Sequence, residues 1–596
     1  MSRHAHYLAP NHKTTIPTRC IFFDTESIQL KHPDKNGIQH KLAFGWACYT
    51  RRHNETGWSK PEWYKFNTGF DFWAWVVEHV YNQTKTYIFC HNGSFDYIIT
   101  QMLQNLPELG YRLNFAVIES PPLFFKYKSD KRTLICLDTL NFFRMPLRSI
   151  GKIIGLNKLQ IPSDWNDEAI ADAYCKRDVE IIYKAMLSWF DFIEEHDLGG
   201  FAPTLAGQSM RAYRHRFMTH PLKVSTYTDE VSLSRSCYYG GRTETYRIGG
   251  IYGDLYCVDV HSMYPSVMRN EMYPTQCIGY TKHCDLDKLK RWLKKYCVCA
   301  KVRLNTIKNA YPYKQNGKLI FPIGNFVTYL STPELIYAIE QGDIVKIYEA
   351  AVYERANIFR EFVDYFYNLR LKYKKEGQIE QQWRVKIILN SLYGKFGQKG
   401  IVYDTYEQTD DLSVKQYVII HAPTGKRFKY RQFGGLVQVQ KDEVESRESI
   451  PSIAAHVTAY ARMKLYKAIQ LAGPDNVYYC DTDSLYCNHI AIERLKDVIH
   501  PSKLGLWGVE KKARNMVIYG VKDYRFGKYE KHKGVKREAV WTSSNTIKQT
   551  QWSSFKATLK DPNFRYPETI NIEKHLKRLY DKGNVIDGGL VIPYRL

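Results

Sequence analysis

Along the first third of the chain, short apolar runs alternate with one long amphipathic stretch. Cys20 to Phe23, Tyr87 to Cys90 and Thr133 to Leu137 have the length and apolar character of strands, and Trp165 to Glu195 carries the period of a helix. Strands interleaved with helix predict an α/β domain from Thr18 to about Leu198. Residues 1–17 ahead of it read as a disordered lead, and 199–250 behind it as a connector ending in the turn-rich Tyr238-Tyr239-Gly240-Gly241. Farther on, Gly253 to Val260 reads as a strand, and Ile358 to Lys375 and Gln381 to Tyr393 as helices with basic residues on one side. Polar and apolar residues alternate between Lys399 and Gly435 around Pro423-Thr424-Gly425, which predicts a β-hairpin. The tail from Lys512 is basic and short-stranded, and it reads as a separate small module.

Length and charge narrow the class. The 596 residues exceed what one core organises, so several modules are expected. Against 61 acidic residues stand 85 Lys and Arg, a formal net charge of +24 that suits a phosphate backbone as partner. Aromatics at 14%, 46 of them tyrosines, add surfaces on which single strands stack, although most such rings serve a core. No run approaches the roughly 18 apolar residues of a membrane span, so no membrane association is expected. The first twenty residues lack an apolar signal core, and a transit peptide is hard to fit before a strand that starts at Ile21. The 13 cysteines are scattered without a C-x-x-C pair, and Cys297 and Cys299 are too close for a zinc knuckle. A reducing, intracellular setting fits, whether the cytoplasm of a host cell or an organelle matrix.

Chemistry enters with the acids. In Phe23-Asp24-Thr25-Glu26, two carboxylates end an apolar strand two residues apart, so strand periodicity turns both to one face. Such a pair repels itself unless a cation neutralises it. A third acid, Asp96, closes Asn92-Gly93-Ser94-Phe95-Asp96. A fourth, Asp178, lies one helical turn after Tyr174. Any one of these acids is more often a surface residue or a cap. Four carboxylates with a tyrosine nevertheless match what hydrolysis with two metal ions requires.

A second group of acids lies beyond residue 250. Asp259 ends the strand of Val258-Asp259-Val260-His261-Ser262-Met263-Tyr264-Pro265, and Asp481 and Asp483 sit at the tip of a hairpin in Tyr479-Cys480-Asp481-Thr482-Asp483-Ser484, where strand alternation puts both on one face. Between them, Lys386, Asn390 and Tyr393 form one helical stripe, and Arg370 and Lys374 stand one turn apart on the preceding helix. A cation, an amide and an aromatic plane facing acids suit a nucleoside triphosphate, and the chemistry would be phosphoryl transfer. For Arg370 and Lys374, a solvated basic face is the plainer alternative.

In order, D-x-E, N-x-x-F-D and Y-x-x-x-D resemble the DEDDy 3′→5′ exonuclease domain over roughly residues 18 to 195. D-x-x-S-[LM]-Y-P, K-x-x-x-N-S-x-Y-G and Y-x-D-T-D-S resemble the three polymerase motifs of family B DNA polymerases. The resemblance implies an α/β multidomain fold: an RNase H-like exonuclease domain followed by a right-hand polymerase with palm, fingers and thumb. It implies Asp24, Glu26, Asp96 and Asp178 as metal ligands, Tyr174 orienting water, and Lys158 touching phosphate. Asn92, Phe95, Thr139 and Leu140 would hold single-stranded DNA, with Thr139 standing where serine is usual. In the polymerase half, Asp259 and Asp483 would bind metals beside Asp481, Tyr264 would exclude a ribose 2′-hydroxyl, and Arg370 and Lys386 would grip phosphates; Lys374, from its place on the helix alone, would add charge for the triphosphate. Asn390 and Tyr393 would line the nascent base pair. Two divalent ions, magnesium or manganese, are implied at each site.

Further features resemble the protein-primed branch of small tailed phages, adenoviruses and linear plasmids. Tyr238, Gly240 and Gly241 match a Y-x-G-G template grip, Thr458 and Arg462 a T-x-x-[AG]-R contact, and Lys522 and Tyr524 a K-x-Y primer contact. About 120 residues separate Pro265 from Lys386 and about 50 follow Gln398 before the Thr458 region, gaps that ordinary connections do not fill. The resemblance assigns insertions there, one docking a priming protein and one a β-hairpin encircling template. The expected division is exonuclease 18–198, connector 199–250, palm 251–300, first insertion 301–360, fingers 361–398, second insertion 399–436, palm 437–511 and thumb 512–596. Expected partners are DNA template and primer, dNTPs and a terminal protein that supplies the priming hydroxyl, with a single-strand-binding protein as a further candidate; a monomer is expected. Alternatives are a family B polymerase that uses nucleic-acid primers or starts unaided, a nuclease with a degenerate polymerase half, and a non-catalytic single-strand binder.

Overall fold

The structure, a computed structural model, describes residues 4–53, 55–119, 121–400, 402–441, 444–561 and 566–596. Its N-terminal part is built on the strand Arg19–Lys31, which pairs antiparallel with Gly37–His53 and parallel with Lys85–Cys90. Lys85–Cys90 in turn runs parallel to Arg132–Asp138. Ile21, Phe22 and Phe23 are all fully buried, as expected of a strand covered on both faces. Each such side chain contributes about 1.5–3 kcal/mol of burial. The helix Glu168–Glu195 packs on this sheet, started by an Asp167 side chain that accepts from the Ile170 amide.

A second, seven-stranded sheet is centred on Gly249–Val260, flanked by Ser484–Asn488 and Trp507–Gly520. Against it lie the helices Met263–Asn270, Arg360–Lys375, Ile379–Phe396 and Pro451–Ala472, sharing one apolar core with the helix of the first domain. The helices predicted at 358–375 and 381–393 are thus present with slightly shifted ends. Among the described residues, three two-stranded antiparallel sheets and two four-stranded ones complete the fold. One comprises Tyr273–Thr281, Cys297–Thr306, Gly324–Ser331 and Ile344–Ala356; the other spans Tyr403–Gln440.

Several expectations need correction. The N-terminal lead is ordered from residue 4: His6–Tyr7 pairs with Lys223–Val224, and Leu8 and Ile16 are buried at 2% and 5% exposure. Met1 to Arg3, also assigned to the lead, lie outside the described residues. The stretch read as a connector is built structure, with helices Leu205–Ala212 and Thr228–Ser236 and an edge strand Thr243–Thr245 in the second sheet. The sheet assigned to the first insertion starts at Tyr273, well before 301, because its first strand pairs with its last, Ile344–Ala356. Two further strands join the predicted hairpin of Lys415–His421 and Lys426–Phe433, making a four-stranded sheet.

The tail is not a separate module. Trp507–Gly520, Asp523–Phe526 and Tyr529–His532 extend the second sheet, whereas Glu568–His575 pairs with Gly37–Gln39 and so extends the first. Apolar pattern announces strands but not partners more than 500 residues away.

Two candidate active sites

At the first site, Asp24 and Glu26 project from Arg19–Lys31, Asp96 from the short helix Ser94–Ile99, and Tyr174 and Asp178 from one face of Glu168–Glu195. Thr25, between the first two acids, donates to Asp96 Oδ1 at 2.6 Å and ties strand to helix. Lys158 Nζ pairs with Asp178 and lies 4.7 Å from the centre of the Tyr174 ring. The carboxyls disturb one another. Burial, then Asp178, Asp96 and Glu26, hold Asp24 well above its ordinary range. Burial with Asp178 pushes Glu26 up to about 8, and burial lifts Asp96 to about 7 against the Thr25 hydrogen bond. Burial also raises Asp178, opposed by Lys158.

Ligand atoms of Asp24, Glu26 and Cys175 lie within 4.8 Å of one another. Burial holds the Cys175 thiol well above its ordinary value, and it points to the Asp24 carbonyl at 3.6 Å, so the carboxylates are the donors. One buried oxygen of Asp178 has no partner. A crowded set of carboxylates with an unsatisfied oxygen fits a hard divalent cation.

Around this cluster, Asn92 is exposed at φ +64 and Phe95 is half-buried, its ring 5.5 Å from Trp552 of the C-terminal region. Leu140 is half-buried. Thr139 is not placed as expected: its hydroxyl is buried, donating to the Cys90 carbonyl and 2.9 Å from His91 Nδ1, so it braces the loop instead of facing a strand. Sequence reasoning missed Asp138. This fully buried carboxylate accepts from the Asn92 and Leu140 amides at 3.0 and 2.8 Å, fixing both segments. Its signal, an acid closing the apolar run Thr133 to Leu137, is plain in the chain.

At the second site, strand register does the assembly. Asp259 is paired with Ser484, and the Val260 amide donates to the Asp483 carbonyl at 2.9 Å. A cavity of about 360 Å³ opens there, lined by Asp259, Asp483, Tyr264, Arg370, Lys374, Lys386 and Asn390. Tyr393 stacks on Tyr264 with ring centres 4.6 Å apart, and Arg370 donates to the Ser262 hydroxyl at 2.9 Å. Burial, then Asp483 and Glu510, pushes Asp259 up to about 8; burial, then Asp481, pushes Asp483 to about 6.

Glu510 is the acid that sequence reasoning missed here. Cys257 pairs with Lys511 and Val258 with Val509, so Glu510 is the extra residue of a β-bulge, which turns it into the cavity. Asp481 departs from expectation in the opposite sense. Thr482 at φ +64 interrupts the strand alternation, and Asp481 instead meets Lys531 and Lys522 at 3.3 and 3.6 Å and does not line the cavity.

The model of the family described as DNA polymerase type B, organellar and viral, matches residues 156–471. The chain belongs to this family. Among its relatives, the Bacillus phage phi29 DNA polymerase is 26% identical over 493 residues, covering 75% of this chain and 78% of that protein. The Enterobacteria phage PRD1 DNA-directed DNA polymerase is 26% identical over 435 residues, covering 68% and 74%. A probable DNA polymerase of Neurospora intermedia is 24% identical over 396 residues, 62% of this chain but only 39% of that longer protein. In fold, the phi29 polymerase solved with primer-template DNA and incoming nucleotide is similar with a TM-score of 0.69 at 17% identity, covering 94% of this chain and 100% of that one.

Within this family B chain, the residues expected to touch DNA divide into two groups. Gly241 sits at the polymerase-motif cavity, where a Cβ would come 2.8 Å from the Thr482 side chain and 3.1 Å from the Tyr264 hydroxyl. Gly240 is exposed, and the half-buried Tyr238 packs its ring where a Cβ on Gly397 would stand. Arg462, however, is 2% exposed: it pairs with buried Glu334 at 2.7 Å and donates to the Tyr239 and Gly240 carbonyls at 3.0 Å. It holds the glycine loop and does not face solvent. Thr458 is likewise buried, its hydroxyl bonded to carbonyls of its own helix. Tyr524 is buried with its hydroxyl 2.8 Å from that of Tyr486, which leaves Lys522 as the outward member of that motif.

Proposed function

We propose that this chain is a DNA-directed DNA polymerase with a separate 3′→5′ proofreading exonuclease, started on the hydroxyl of a terminal protein and displacing the non-template strand. The observation that carries the reading is the register of Asp259 beside Asp483 in a cavity also lined by the cations Arg370 and Lys374 of one helix and Lys386 of the next. Two divalent ions, magnesium or manganese, would be held by Asp259 and Asp483, and two by Asp24, Glu26, Asp96 and Asp178, to activate the reacting oxygens. Arg370, Lys374 and Lys386 hold the triphosphate, so that a primer hydroxyl meets the α-phosphate in line. The stacked Tyr264 and Tyr393 form the wall beside the sugar and the nascent base pair. In the exonuclease pocket, Tyr174 orients the attacking water and Lys158 neutralises the scissile phosphate.

The phi29 polymerase of similar fold was solved in complex with primer-template DNA and incoming nucleotide, which supports DNA and dNTPs as partners. Among the described residues, no helix is long and apolar enough to cross a membrane. Kinship to phage polymerases supports protein priming, with the sheets at 273–356 and 403–440 as the two insertions. The test is transfer of a labelled dNMP by the purified chain, first to a DNA primer on template and then to the cognate terminal protein. Extension of DNA primers with no transfer to the protein would leave the polymerase and remove the protein priming.

A further inference from the structure

The sheet Tyr273–Thr281, Cys297–Thr306, Gly324–Ser331 and Ile344–Ala356 has two different faces. Helices Leu286–Lys295 and Thr332–Gln341 cover one, packing on Val298, Ala300, Val302 and Leu304. On the other, the strand reads Cys297, Cys299, Lys301, Arg303. Helix Thr228–Ser236 covers the cysteine end, and beyond that helix basic and aromatic residues stand with two acids among them: Glu349, 3.9 Å from Lys301 Nζ and accepting from the Tyr280 hydroxyl at 2.6 Å, and Asp229, 3.6 Å from Lys282 Nζ. Lys301 Nζ lies 5.6 Å from the Tyr329 ring centre and 5.8 Å from that of Tyr348, and Lys346 lies 5.2 Å from Tyr348. Two depressions of about 380 and 300 Å³ run along this face and share Ser236 and Tyr329. The second of them reaches Tyr239, next to the glycine loop at the polymerase cavity, with Lys314 at its side.

An open antiparallel sheet that interleaves tyrosine rings with ammonium groups can stack bases and neutralise the phosphates between them. We infer that this face is a second binding site for single-stranded DNA, separate from both catalytic pockets. Single strand is favoured over duplex because the rings contribute only where bases are unpaired. The site stands apart from both acidic pockets, which would remain intact were it absent, but it lies on the sheet proposed above as the first insertion, so a priming protein is its rival occupant.

To test it, the full chain is saturated with an unlabelled hairpin primer-template in chelator, and fluorescent dT12 is titrated by anisotropy. The loaded chain is expected to bind dT12. Tyr329→Ala with Tyr348→Ala should weaken that binding about fivefold or more, whereas the Phe pair should stay within about twofold, since stacking needs the ring and not the hydroxyl. Lys301→Ala should lower the slope of log affinity against log salt by about 0.7. Primer extension by each variant within about twofold of wild type would report an intact fold. Absence of dT12 binding to the loaded chain, an unchanged affinity in the Ala pair, or equal binding and equal loss with a duplex of the same length would overturn the inference. So would loss of terminal-protein binding with dT12 binding unaffected, which would make the face a protein dock.

Discussion

At the first pocket, Asp24 and Glu26 stand two residues apart on one strand and Tyr174 and Asp178 four apart on one helix, with Lys158 already paired to Asp178. At the second, Asp259, Asp483 and Glu510 come from a strand end, a tight turn and a bulge, and the lining cations come from two helices. Both pockets raise their carboxyls by burial and mutual repulsion. The first gathers acids that regular strand and helix spacing already align. The second depends on where strand alternation is broken. Aligned acids are thus legible from periodicity, while a pocket that gathers acids and cations from several elements needs residues that periodicity sends elsewhere.

The sharpest way to break this contrast is to disable the first pocket alone. Asp24→Ala with Asp178→Ala should lower 3′→5′ degradation of a labelled single strand by about a thousandfold or more while primer extension stays within about twofold. A comparable loss of extension would mean that the pockets are not independent.

Next in size is Arg462→Ala. Removing one member of a buried pair leaves Glu334 uncompensated and should cost about 3–5 kcal/mol in stability, read by denaturant melts. The salt slope of DNA affinity should not change, because Arg462 does not reach phosphate; a slope lower by about one unit would restore it as a DNA contact.

Glu510→Gln tests the bulge and should reduce extension by about tenfold, with exonuclease unaffected. Wild-type extension would make Glu510 a bystander.

The smallest expected effect is on melting temperature. Carboxyls whose folded pKa is raised, such as Glu26 and Asp259 at about 8, bind protons in the folded chain that the unfolded chain has lost, so stability in chelator falls as pH rises from about 5 to 8. Divalent cation should therefore raise the melting temperature more at pH 8 than at pH 6, by about 2 °C or more. An equal rise at both values would contradict the repulsion argued for these groups.

The acid motifs were legible in the sequence because their geometry is local: i, i+2 on a strand and i, i+4 on a helix need no knowledge of the fold. The same holds for the stripe of Lys386, Asn390 and Tyr393. Asp481 misled for the same reason, since a single residue at positive φ cancels the alternation. Arg462 and Thr458 could not be judged from motif alone: a helix 22 residues long turns some of its polar side chains into the core, and only the position of Glu334 reveals which. Glu568–His575 joins the first sheet through Gly37–Gln39, a partner that nothing near it in the chain announces. The ordered lead was hidden because two buried anchors, Leu8 and Ile16, are too few to make a periodic pattern.

The most direct measurement uses Asp483→Ala and one 5′-labelled primer-template, followed with and without dNTPs. Two separate metal pockets predict no extension in the presence of dNTPs and 3′→5′ shortening at the wild-type rate in their absence. Retained extension, or loss of both reactions in a chain that still melts like the wild type, would contradict them.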